Sequence, residues 1–169
     1  MRIKRKRGNG GLARTLALAA AAGAGAGLLI GLYMKAVQQL TGQTVYTLLL
    51  NVDYIPLLNE LALSELWEFA LHLFVSALVG IGLALFFRIV RWPVVRQTYS
   101  AMAVSLLIGL VLFQTTLLSD RTPSIGSGAA WTWWLVGHVV YGWVLGELLA
   151  ITRNVSRVGK RNHGKQRQT

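Results

Sequence analysis

Residues 69–87 read FALHLFVSALVGIGLALFF, a run without a single Asp, Glu, Lys or Arg. As an α-helix it would be about 30 Å long, the thickness of a bilayer's hydrocarbon core. It reads as a membrane span. Glu60, Glu65, Trp67 and Glu68 stand before it, and Arg88, Arg91, Trp92 and Arg96 follow it. The two ends therefore differ in charge, as the two faces of a membrane do.

Upstream, residues 16–34 read LALAAAAGAGAGLLIGLYM after a basic start with Arg2, Lys4, Arg5, Lys6, Arg7 and Arg14. The basic start and Ala-rich middle are similar to a signal peptide. The apolar run continues well past any small-residue cleavage point at Ala20, Ala22 or Ala24, so we read it as an uncleaved span. Gly23, Gly27 and Gly31 recur every four residues. They bare the backbone along one helix face, where a partner helix is expected within the monomer or across a dimer.

Residues 36–66 contain no run of spanning length and are interrupted by Asn51, Asp53, Pro56, Asn59 and Glu60. They predict an external connector. Within it Leu57, Leu58, Leu61 and Leu66 share a helical face, with Pro56 suited to the first turn, which predicts a short interfacial or partly re-entrant helix.

Downstream, Pro93 predicts a tight hairpin. A third run follows, in which Ser105 and Gly109 form a small-xxx-small pair, and Gln114, Thr115 and Thr116 can hydrogen-bond between helices. A fourth run opens with Trp131, Trp133 and Trp134, expected at headgroup depth, and carries a second pair, Gly142 and Gly146. The fold class is thus an all-α membrane protein, with spans at about 15–35, 67–89, 98–118 and 130–151 and basic tails at 1–14 and 153–169, the second tail read as mobile.

Composition agrees. Of 169 residues 54% are hydrophobic and the mean hydropathy is +0.50, too apolar for an ordinary soluble domain. The net charge of +11 would suggest nucleic acid if it formed one folded face, but 15 of the 17 Lys and Arg lie in the tails and the 88–96 hairpin. Neither tail interleaves aromatic residues with its charges, so anionic lipid is the expected partner and nucleic acid is not. The same asymmetry predicts cytoplasmic termini in a cell membrane. The chain has no cysteine, which excludes disulfides, iron–sulfur ligation and thiol catalysis.

Ionisable residues inside spans are the candidates for chemistry. Glu68 and His72 share a face of the second span, and His138 lies at comparable depth in the fourth. Together they could hold a divalent metal or relay protons. The plainer reading has Glu68 facing water and each His bonded to a neighbouring helix. Trp131, Trp134, His138 and Tyr141 align on one face, a wall for a lipid or amphiphile pocket or simply a packing surface. Glu147 matches Arg88 in depth and could pair with it. No HExxH, GxSxG or GxxxxGK[ST] motif is present and no cofactor is implied.

With four short spans, a long connector after the first, a basic hairpin after the second and GHVVYGWVLG in the last, the chain resembles small bacterial inner-membrane proteins of the YqhR and YagU kinds. The resemblance implies a cytoplasmic-membrane four-helix bundle and assigns no catalytic residue. Three functions stay open: a non-enzymatic accessory or scaffold that binds itself or another membrane protein through glycine faces; a small oligomeric transporter or channel lined by Glu68, His72, His138 and Gln114; and a metal-dependent membrane enzyme using the same cluster.

Overall fold

A computed structural model describes residues 9–165 apart from 53–54, 57–60 and 62, with side chains described from 11 to 153. The described residues are all-helical: α1 (Asn9–Thr41), α2 (Val45–Leu50), α3 (Glu65–Val90), α4 (Val94–Phe113) and α5 (Gly128–Lys165). A 3-10 turn, Gln114–Leu118, extends α4. Four segments are long and apolar enough to cross a membrane. They alternate in direction, so the start of α1, the end of α5 and the α3–α4 hairpin share one face, here the tail side. The described residues between α1 and α3 and the 119–127 segment share the other, the connector side.

The short helix between the first two spans lies earlier than expected. It forms at VYTLLL, where Val45, Tyr46, Leu48 and Leu50 are buried against the bundle. Half of the residues expected in a helix at 57–66 fall outside the described residues, and Leu66 already belongs to α3. Gly42 allows the reversal into α2 with φ +73°, its N–H donating to the Gln38 carbonyl at 3.0 Å. Gln38 then fixes α2 by accepting the Thr47 N–H at 3.0 Å. At the other end, α5 runs on into the second basic tail as far as Lys165. Residues 153–165 contain no proline and are rich in Arg and Lys, which favour helix.

The packing order is α3 on α1, α1 on α5 and α5 on α4. Small residues make each contact close. Between α1 and α3, a Cβ at Gly23 would collide with the Ser76 carbonyl, one at Gly27 would lie 2.6 Å from Ser76 Oγ, and one at Gly31 would meet the Phe69 ring. Between α5 and α4, a Cβ at Gly142 would lie 2.5 Å from Met102 Cα, and one at Gly146 2.7 Å from Thr98 Cα. Gly109 admits the His138 ring, and Ser105 Oγ donates to the His138 carbonyl at 2.6 Å. Every glycine face read from the sequence is therefore used inside the monomer. Large side chains such as Leu29, Phe74, Leu107 and Trp143 remain exposed, which suits hydrocarbon rather than water.

Trp134 departs from the expected interfacial belt. It is 1% exposed, and its Nε1–H donates to the Gly109 carbonyl at 2.8 Å. Trp131 stacks on Phe113 at 3.8 Å between ring centres. Trp133 faces outward on the same helix, because a position one residue on lies about 100° around it.

Candidate functional site

The residues 91–93 that join α3 and α4 are too few to let the hairpin ends separate, yet the two helices do not pack on each other along their lengths. Each leans instead on a different member of the central pair. α3 follows the glycine face of α1, and α4 follows that of α5. A cleft remains between them on the connector side.

The cleft encloses a cavity of about 170 Å³. Leu71, Val75 and Val79 of α3 and Ile108 and Leu112 of α4 form its apolar sides, Ile30 of α1 and Tyr141 of α5 its back, and Leu49–Val52 with Ile55 its roof. On the side away from α1 and α5 it is flanked by α3 and α4, which do not pack on each other. Toward the tail side the bundle is closed by Leu83, Phe87, Ala101 and Leu145, all buried.

Polar groups reach this cavity from three helices. Glu68, His72 and Ser76 occupy successive turns of α3, while Ser105 comes from α4 and His138 and Tyr141 from α5. Their bonds are mostly to protein. Glu68 Oε1 accepts from Arg121 Nη2 at 3.2 Å. His72 Nε2 is 3.1 Å from the Gly27 carbonyl and His138 Nδ1 is 2.9 Å from the Trp134 carbonyl. A carbonyl can only accept, so each of those nitrogens carries a proton, and in a neutral ring the other nitrogen is left as an acceptor. Ser76 Oγ donates to Tyr141 Oη at 2.8 Å.

The structure thus brings Glu68, His72 and His138 to one cavity but gives each its own partner. Among the described residues no three His, Asp or Glu side chains form a group able to hold a metal ion. Neither serine is hydrogen-bonded to an imidazole nitrogen, the arrangement that would activate a hydroxyl nucleophile. Gln114 is exposed and away from the cavity. Arg88 and Glu147 do not pair. Glu147 sits beside α4 and accepts from Thr98 Oγ1 at 3.0 Å, whereas Arg88 is exposed on α3, with α1 packed between α3 and α5.

No family model, curated protein or solved structure matches this chain. The likeness of layout to small inner-membrane proteins therefore gains no family behind it.

Sequence reasoning missed a second cluster at the connector side. Glu65 Oε1 accepts from Lys35 Nζ at 2.7 Å and from Tyr46 Oη at 2.9 Å, tying α1, α2 and α3 together. Burial, with the hydrogen bond and charge of Glu65 adding to it, pushes the Tyr46 phenol up from 10.0 to about 12. A signal was present. Lys35 and Arg121 are the only basic residues assigned to the connector side, and the structure pairs one with Glu65 and the other with Glu68.

Proposed function

We propose that this protein is a non-catalytic, membrane-embedded binding protein that takes one end of an amphiphile from the bilayer into the cleft between α3 and α4. One observation carries the reading: an apolar cavity between two spans that do not pack on each other, with polar side chains from three helices in its interior. Polar side chains at membrane depth are costly unless they meet one another or a wet or occupied space, and here several meet in one place. The volume is close to the roughly 150 Å³ cavity that holds a benzene-sized molecule, so the site encloses one end of a ligand whose remaining chain runs out into the acyl region. The Glu68–Arg121 pair stands at the rim, where headgroups lie.

The test is native mass spectrometry of the protein released from its own membrane in mild detergent. Wild-type protein is expected to carry a bound amphiphile, and Ile108→Trp, which fills the cavity from α4, is expected to lose it while keeping its abundance and helix content. An empty wild-type protein, or full retention in Ile108→Trp, would reject the reading.

A carrier is the second reading, favoured by the stripe of Glu68, His72 and Ser76 that leads from the connector side to mid-depth. It requires the closed tail-side half to open, and flux into protein-loaded vesicles tests it.

For orientation we propose that the tail side is cytoplasmic, supported by the 15 of 17 basic residues gathered there. Because the chain has no cysteine, single cysteines report cleanly. An impermeant maleimide should label Ser124→Cys in intact cells and Thr169→Cys only after permeabilisation.

A further inference from the structure

The cavity's hydrogen-bonding groups are unevenly divided between donors and acceptors, and the division is set by backbone the ligand cannot change. His72 donates from Nε2 to Gly27 and His138 from Nδ1 to Trp134. Turning either tautomer over would set a ring lone pair against a carbonyl lone pair. His72 Nδ1 and His138 Nε2 are thereby held as acceptors. Three of the donors nearby are used within the protein: Ser76 on Tyr141, Ser105 on the His138 carbonyl at 2.6 Å, and Trp134 on the Gly109 carbonyl at 2.8 Å; the Asn51 amide lines the roof. Tyr141 accepts from Ser76 and keeps its own hydroxyl proton to give. Glu68 and Arg121 offset one another at the rim, so the site supplies no net charge to a charged guest.

We infer that the cavity selects a neutral amphiphile whose polar end both donates and accepts a hydrogen bond, that is, a long-chain or polycyclic alcohol. This rests on the binding reading above and names its ligand class. An alcohol gives its proton to an imidazole nitrogen and receives that of Tyr141. A methyl ether, ketone or quinone can accept a proton but has none to give, and leaves both imidazole nitrogens facing an acceptor. A carboxylate brings an uncompensated charge against two lone pairs, which is costly in a low-dielectric site.

The experiment measures binding of tritiated hexadecanol, hexadecyl methyl ether and hexadecanoate to the full-length protein in phosphatidylcholine nanodiscs, against empty nanodiscs. The alcohol should bind at least about tenfold more tightly than the ether, the size expected for one good hydrogen bond to a buried acceptor. Hexadecanoate should bind more weakly than the alcohol. In His138→Phe and His72→Phe the preference for alcohol over ether should shrink. The wild-type ratio decides the matter even where a variant fails to fold. Equal binding of alcohol and ether would overturn the inference and leave the binding reading standing. Binding of none of the three above empty nanodiscs would overturn both.

Discussion

Glu65 collects an ammonium at 2.7 Å and a phenol at 2.9 Å on a single oxygen, so one carboxylate secures the connector end of α1, α2 and α3. The Tyr46 phenol has its folded-state pKa raised above its ordinary value, so the stability it contributes is fully present below about pH 10 and is lost as pH rises through about 12. A spectrophotometric titration of the five tyrosines should therefore show a late component near pH 12 that shrinks in Tyr46→Phe. Deeper in the bundle, the Ser76–Tyr141 bond of 2.8 Å joins α3 to α5 past the edge of α1. Ser76→Ala should cost about 0.6 kcal/mol, the average for a hydrogen bond between membrane helices, read from thermal unfolding in detergent. Which side chains matter was legible at this scale; which partners they choose was not. Glu68 and His72 stood out as costly groups in a span, but the Gly27 carbonyl that receives His72 is presented by another helix, and nothing local to either residue encodes that.

The spacing of Gly23, Gly27 and Gly31 marked a helix face and left its partner open, because small-xxx-small spacing describes one surface and not its complement. The structure fills that face with α3. Position then separates glycines that look alike in sequence. Gly82 has nothing within 4 Å of where a Cβ would stand, whereas Gly23 would drive a methyl into the Ser76 carbonyl. Both lie mid-helix, where alanine favours helix by about 1 kcal/mol. Gly82→Ala should therefore be neutral or stabilising, and Gly23→Ala should lower the unfolding temperature, the two compared in one detergent. Arg91 ends α3 in the left-handed region at φ 52°, a position glycine occupies without steric cost. Arg91→Gly should raise the unfolding temperature, relieving about 1 kcal/mol. The hairpin itself was readable from Pro93. The left-handed residue two places before it was not, since arginine gives no sign of that conformation.

Across the whole molecule, four apolar runs and the gathering of basic residues made the bundle and its shared tail side readable from the chain. The order α3–α1–α5–α4 was not, because a short hairpin such as 91–93 ordinarily joins helices that pack together. The cavity follows from that order alone. Since the chain has no cysteine, the order can be read from engineered pairs. A disulfide forms readily only where Cα atoms lie within about 7 Å. The most direct measurement is oxidative crosslinking in native membranes of Thr98→Cys with Glu147→Cys, side chains in contact between α4 and α5, beside Val75→Cys with Ile108→Cys, which face each other across the cleft. A disulfide is expected in the first pair, and in the second none under the same oxidation but ready bridging by a longer bis-maleimide. A disulfide between positions 75 and 108 as complete as that between 98 and 147 would mean that α3 and α4 are packed together, with no cavity between them.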